Sequence, residues 1–367
     1  MREAGTLVIG GGPAGAAAAC RLAAGGMPVT LVERRTAPAA VVCGEFVGPA
    51  AGAELDRLLG DAATGLGGAV IDRLAVSYRR RQAHARLPFR AQGVARERLE
   101  RALLAQARVD GALLLQGSAV RRLEPCSRGW QATLADGCRI EAERVLLATG
   151  KHELRGHRRH APAAAPLVAF KNRLKLAATA GAALEGHIHL FWCGGGYAGL
   201  QSVGEGAASL CLVVPTAAHR AWGNAWPATL SALRRDAPLL DGLLDGADDL
   251  WEQPASIANI PYGYLCHEEI DPPGLYRLGD QLAVIASFAG EGIAIALRSG
   301  RLAAEAVLRG EDAAVYHQRA LAAVSGAVRF GRALDGLGRR PQLLPAAVAA
   351  ARLPGVLPLL ARSLRIG

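Results

Sequence analysis

Short apolar runs that end on glycine divide this chain more clearly than any other pattern. Residues 7–9 form one such run, followed by Gly10-x-Gly12-x-x-Gly15, an alanine-rich stretch, and a second apolar run at 29–32 closed by Glu33. Unbroken apolar runs of this length predict strands buried on both faces, and the stretch between them predicts a helix. Further on, Leu74, Val76 and Tyr78 recur at every second position, so residues 71–89 read as antiparallel strands. Residues 93–107 switch to helical spacing, with Glu97 and Arg101 an i,i+4 pair. Strands at 112–115, 119–123 and 130–134 follow, the last closed by a turn at Asp136-Gly137. Another buried run, 144–148, ends at Thr149-Gly150.

Between 166 and 270 the texture changes to alternating strands with several aromatics. Strands are expected near 166–172, 187–192, 200–203, 209–214 and 257–260, interrupted by a helix at 226–244. At Tyr276 the opening texture returns: Gly279-Asp280, an apolar run at 282–285, then Gly290-Glu291-Gly292-Ile293 leading a helix to about residue 308. From 313 onward the chain is helical, broken at Pro341, Pro345, Pro354 and Pro358. The expected fold is therefore α/β. A nucleotide-binding domain is assembled from 1–75, 93–165 and 271–310, an antiparallel substrate domain comes from 76–92 and 166–270, and a helical tail spans 311–367.

The opening motif carries the first chemistry. Gly10 permits a tight turn, Gly12 lets backbone approach a pyrophosphate, and Gly15 lets the helix pack close to its strand. Free N–H groups at the helix start bind the phosphate charge. Glu33 comes 18 residues after Gly15, where a carboxylate accepts hydrogen bonds from a ribose. A second match, Gly194-x-Gly196-x-x-Gly199, is followed by another strand and lacks the downstream acid, so it reads as a hairpin.

Composition narrows the partners. The net charge of +10 is almost wholly arginine, since only Lys151, Lys171 and Lys175 are lysines. Paired arginines are scattered and not interleaved with aromatics, which argues against nucleic acid. Seven cysteines occur without a CxxC pair, so no metal site is expected. Neither a signal-peptide pattern nor an apolar run long enough for a membrane span is present. The expectation is a cytoplasmic protein, with the apolar, arginine-bearing C-terminal segment able to lie on a membrane surface or cover a pocket.

Taken in order, the glycine fingerprint with Glu33, Arg96-x-x-Leu99, Ala148-Thr149-Gly150, Gly279-Asp280 and Gly290-Glu291-Gly292-Ile293 resemble the glutathione-reductase-type FAD flavoproteins. Within these, the chain resembles the branch of p-hydroxybenzoate-hydroxylase-like monooxygenases, flavin halogenases and geranylgeranyl reductases, over roughly residues 7–308. The resemblance implies a Rossmann-like FAD-binding domain with an inserted antiparallel β-sheet substrate domain and C-terminal helices. It implies that Gly10, Gly12, Pro13, Ala14 and Gly15 hold the pyrophosphate and that Glu33 and Arg34 lie at the adenosine end. Arg96 would reach the phosphate or ribityl region, and Val120 would meet adenine through its backbone. Gly150, Gly279 and Asp280 would lie along the pyrophosphate and ribityl, and Gly290, Gly292 and Ile293 at the flavin ring. Cys43-Gly44 matches a Cys-Gly pair of the reductases and would border the ring, with Cys43 a redox group or a small apolar wall.

Departures matter too. Lys151-His152-Glu153-Leu154-Arg155-Gly156 stands where the monooxygenases carry an Asp-Gly motif, which leaves NAD(P)H as donor open. Ser287 replaces the usual proline, the reductases' aromatic-proline signature is not recognisable at Phe191-Trp192-Cys193-Gly194, and the halogenases' Trp-x-Trp-x-Ile-Pro is absent. His189, Trp192 and Tyr197 are expected in the substrate pocket, His189 as a candidate general acid. Tyr262-Gly263-Tyr264 reads as core packing, with an aromatic pocket wall as the alternative. The apolar substrate domain implies a hydrophobic small molecule, aromatic, polyketide or isoprenoid. The resemblance implies an oxygen-using, monooxygenase-like oxidoreductase. A reductase or dehydrogenase of the geranylgeranyl-reductase type, and an electron-transfer flavin module without its own substrate, are the alternatives.

Overall fold

The computed structural model describes residues 2–160, 166–266 and 272–366. The first third of the chain runs β1 (Arg2–Ile9), α1 (Pro13–Ala24), β2 (Val29–Glu33), β3 (Phe46–Val47), α2 (Pro49–Leu59), β4 (Ala69–Tyr78), β5 (Arg81–Gly93) and α3 (Arg96–Val109). The middle continues with β6 (Leu113–Gln116), β7 (Val120–Cys126), β8 (Gly129–Leu134), β9 (Arg139–Leu147), β10 (Leu167–Lys175), α4 (Ala178–Leu184), β11 (Gly186–Cys193), β12 (Gly196–Ser202) and β13 (Ala208–Pro215). Next come α5 (Thr216–Ala221), α6 (Trp226–Asp236), α7 (Pro238–Leu243), β14 (Asp248–Asp249), β15 (Ala255–Ala258), β16 (Tyr264–Leu265), β17 (Leu275–Arg277) and β18 (Ala283–Val284). Four helices close the chain: α8 (Gly292–Leu308), α9 (Ala313–Gly338), α10 (Leu344–Ala351) and α11 (Val356–Ser363).

The first sheet has the order β6-β2-β1-β9-β8-β7, with β17 added beside β9. Its β6-β2-β1-β9 portion is parallel, and all five residues of β2 are buried, with helices over one face and the β7–β8 strands and Leu154 packed against the other. Helices α1, α3 and α8 pack on it through alanine- and leucine-rich faces. The glycine-rich turn and the strand that follows it thus place the nucleotide end of the molecule at the carboxyl ends of β1, β2 and β9.

A second sheet, β14-β10-β13-β12-β11-β4-β5-β3 with β15 beside β10, is antiparallel except where β11 meets β4. Strand β4 lies whole in this sheet from Ala69, so the second sheet begins earlier than residue 76. The Gly194–Gly199 stretch is a hairpin: Cys193 pairs with Gly196 and the chain returns as β12. Helices α4, α6 and α7 cover one face of the sheet with a core of their own. Helices α10 and α11 lie over the other face at its β4–β5 end.

Candidate cofactor cleft and substrate chamber

Gly10 turns the chain out of β1 with φ +107, and a β-carbon there would lie 2.4 Å from the Ala148 carbonyl oxygen. Gly15 serves a packing need: its β-carbon would stand 1.9 Å from the Gly10 oxygen. Only glycine lets α1 begin this close to the strand end. No side chain caps α1, so its first N–H groups are left for a ligand's anionic group. Except for Gly15, every residue expected at the cofactor lines one continuous cleft of about 530 Å³.

At the nucleotide end, Glu33 Oε2 accepts from the Gly11 N–H at 2.6 Å and Oε1 from the Arg35 N–H and Nε–H at 3.0 Å each. Burial pulls its pKa upward, but these donors and the Arg35 charge outweigh that and hold it below the usual carboxylate value. Each oxygen keeps lone-pair capacity for a ribose hydroxyl. Arg34 meets His152 Nε2 at 2.7 Å, both on the cleft wall. Arg96 donates to Glu100 Oε1 at 2.9 Å, and its guanidinium lies over the glycine turn: a β-carbon on Gly12 would be 3.5 Å from Nη2.

Farther along, Lys151 Nζ lies 3.5 Å from Asp280 Oδ2 and 3.4 Å from the Val42 carbonyl. Burial opposes its charge, but Asp280 leads the groups that keep it protonated. Helix α8 starts without a side-chain cap, and Gly292 and Ile293 face the cleft. A glycine cradle with a guanidinium above it, an ionised ribose acceptor and two uncapped helix starts fit the charges of FAD, diphosphate at one end and isoalloxazine at the other.

Beside the ring end lies a second cavity of about 210 Å³, walled almost entirely by apolar groups. Alternation along the strands selects its wall: Ile188, Leu190 and Trp192 from β11, then Tyr197, Gly199 and Gln201 from β12. Trp192 and Tyr197 therefore line it. His189 does not. It sits on the opposite face with Phe191, ring centroids 5.8 Å apart, so the expectation of a pocket histidine is corrected by strand parity. Burial, then the neighbouring His187 and His84, pushes its pKa down to about 4. The cleft and the chamber share Val42, Cys43, Gly44, Phe46, Ser287 and Gly290 as a common wall.

Two arrangements at this wall were not read from the sequence. Glu45, fully buried and at φ +58, accepts from the Arg96 N–H at 2.6 Å and Arg173 Nη2 at 2.7 Å, with Lys171 Nζ 2.7 Å away. Lys171 and Arg173 also face the Trp251 ring at 5.1 and 5.2 Å. Two donors converge on the neighbouring Cys43 sulfur, the Glu45 N–H at 3.4 Å and Arg96 Nη1 at 3.6 Å. The Cys211 thiol, pushed up to about 12 chiefly by burial and so kept neutral, donates to the Cys43 carbonyl at 3.1 Å. These contacts fix the 43–45 strap between the two cavities. The other arrangement is a hydroxyl chain. Tyr262 meets Ser287 at 2.6 Å and Tyr197 at 3.1 Å, and Tyr197 accepts from the Phe288 N–H. The only sequence signal for either was local: Glu45 follows Cys43-Gly44, and Ser287 stands where a proline was expected.

Residues 6–175 match the model of the glucose inhibited division protein A family. Menaquinone reductase from Mycobacterium tuberculosis is 29% identical over 330 residues, covering 83% of this chain and 76% of that protein. Menaquinone reductase from Mycolicibacterium smegmatis is 27% identical over 344 residues, covering 84% and 77%. Among solved structures, a geranylgeranyl bacteriochlorophyll reductase-like protein from Thermoplasma acidophilum superposes with a TM-score of 0.80 at 18% identity, covering 99% of this chain and 96% of that one. A flavoprotein/dehydrogenase from Cytophaga hutchinsonii gives 0.82 at 17% identity, covering 98% and 92%. At these identities the structures establish the fold. The cleft's geometry, with the family match and the curated relatives, makes this chain an FAD-dependent oxidoreductase.

Proposed function

We propose that the chain is a reductase of the geranylgeranyl-reductase-like branch, handing reducing equivalents from FAD to a hydrophobic small molecule held in the apolar chamber. The observation that carries this reading is the shared wall, Cys43-Gly44 on one side and Ser287 and Gly290 on the other, which sets a substrate-sized apolar cavity directly against the ring end of the cleft. A module that only exchanges electrons with a partner protein has no use for such a chamber.

FAD, when bound, supplies hydride chemistry. The protein's residues supply the rest. The apolar walls exclude water, and the strap held by Glu45 fixes the approach of the substrate to the ring. Reduction of a carbon or an oxygen also needs a proton, and Ser287 borders both cavities at the end of the hydroxyl chain to Tyr262. Tyr262 is itself held neutral, its pKa raised mainly by burial. Lys151 in place of the Asp-Gly motif, together with curated relatives that are menaquinone reductases, favours this reading over the oxygen-using one.

The C-terminal segment is proposed to touch a membrane surface. Residues 337–367 contain five arginines and no acid, and Leu337, Leu343, Leu353 and Leu359 are exposed along it. No single helix among the described residues is long and apolar enough to cross a membrane.

Anaerobic mixing tests the reaction. FAD-loaded protein, photoreduced and then mixed with duroquinone, should recover the oxidised flavin spectrum with one quinol formed per flavin. Recovery only on admitting oxygen, with oxygen incorporated into a bound aromatic, would overturn the reductase reading.

A further inference from the structure

The chamber holds one polar group that the protein leaves unanswered. Gln201 is 2% exposed and lines the chamber, yet among the described residues neither its amide oxygen nor its amide nitrogen has a hydrogen-bond partner. A buried amide without a partner is costly, and native proteins seldom keep one unless something else satisfies it. Opposite it in the β12–β13 register stands Ser209, also on the chamber wall, whose hydroxyl has only the Cys211 sulfur nearby at 4.0 Å.

Position gives these groups a direction. The Gln201 amide nitrogen would lie 3.2 Å from a β-carbon on Gly93, and Gly93 pairs with Phe46. Phe46 belongs to the wall shared with the cofactor cleft. The polar pole of the chamber is therefore next to the strap at the ring end. The rest of its wall is largely aliphatic, with Leu344, Val348, Leu357 and Leu360 from α10 and α11. The one charged group on the wall among the described residues, Arg365, is engaged by Glu291 and the Ala289 carbonyl. Nothing there favours an ionic substrate.

We propose that Gln201 and Ser209 form a recognition subsite for a neutral ring oxygen, carbonyl or phenol, on a substrate whose apolar tail lies beneath the C-terminal helices. The subsite rests on the reading that the chamber is the substrate site. It narrows that substrate from any hydrophobic molecule to an amphipathic one with an oxygenated ring at the flavin. Gln201 Nε2 donates to the ring oxygen, and the Ser209 hydroxyl serves as a second donor or, for a phenol, as the acceptor.

Binding of duroquinone and of durene, its hydrocarbon counterpart without the two oxygens, tests this in the FAD-loaded protein through perturbation of the flavin spectrum. The native chain should prefer duroquinone by about tenfold, the worth of one buried hydrogen bond. In Gln201→Leu the preference should vanish, and Ser209→Ala should weaken it. Thermal unfolding without ligand separates recognition from architecture. Gln201→Leu, relieved of an unsatisfied amide, should melt at or above the native temperature. An unchanged preference in Gln201→Leu overturns the subsite, as does a lower melting temperature with the preference intact. If Gln201→Leu fails to fold, Gln201→Met and Ser209→Ala carry the same comparison. Loss of preference without any reduction of duroquinone would sink the reductase reading and keep the subsite; reduction with an unchanged preference would do the reverse.

Discussion

Replacing His189 by phenylalanine should remove a measurable part of the chain's sensitivity to mild acid. His189 is buried beside Phe191 with both ring nitrogens unpartnered among the described residues, and burial, followed by His187 and His84, lowers its pKa from 6.5 to about 4. A folded pKa below the unfolded one means the unfolded chain takes up the proton first. Stability is then complete above the unfolded value and is lost as pH falls from about 6.5 towards about 4. Between about pH 7.5 and about pH 5, linkage gives a loss of roughly 2 kcal/mol from this one group. His189→Phe keeps the stacking on Phe191 and cannot titrate. Urea denaturation of the FAD-loaded protein at the two pH values, followed by tryptophan fluorescence, gives the difference directly. The native chain should lose about 2 kcal/mol more than the variant. Equal losses in the two proteins would refute the reasoning, because the acid sensitivity would then arise elsewhere.

Gly10→Ala should yield a folded chain that binds FAD at least about tenfold more weakly, by equilibrium titration, since the new β-carbon meets the Ala148 carbonyl at a φ only glycine tolerates. Native affinity in that variant would contradict the turn geometry. Cys43→Ala should keep the flavin and lose more than about tenfold in turnover if the sulfur shares in the reaction, and unchanged turnover leaves Cys43 a wall group. The chain should co-sediment with vesicles containing phosphatidylglycerol and not with pure phosphatidylcholine, and a Leu353→Ser/Leu359→Ser double variant should weaken that binding by about tenfold or more.

Much of the nucleotide half was legible because its constraints are local. Gly10, Gly15 and Glu33 are demanded by stereochemistry within one βαβ unit, and the periodicities that mark α1, α3 and α8 do not depend on distant partners. The chamber was less legible. Alternation groups His187, His189 and Phe191 on one face of β11 and Ile188, Leu190 and Trp192 on the other. Both faces are buried, one under α4, α6 and α7 and one against the chamber, so hydropathy does not say which face meets substrate. The Glu45 junction joins residues more than a hundred positions apart and leaves no periodic trace. Gln201 sits in a strand of otherwise ordinary composition, and its lack of a partner exists only in three dimensions.

The most direct test of the central claim, an FAD whose ring abuts an apolar substrate chamber, is the visible spectrum of the purified protein before and after durene is added. The expected result is a bound oxidised-flavin spectrum whose bands sharpen and shift as the hydrocarbon displaces water from the wall shared by Cys43, Gly44 and Ser287. A colourless protein that takes up no FAD, or a bound flavin whose spectrum ignores saturating durene, would contradict it.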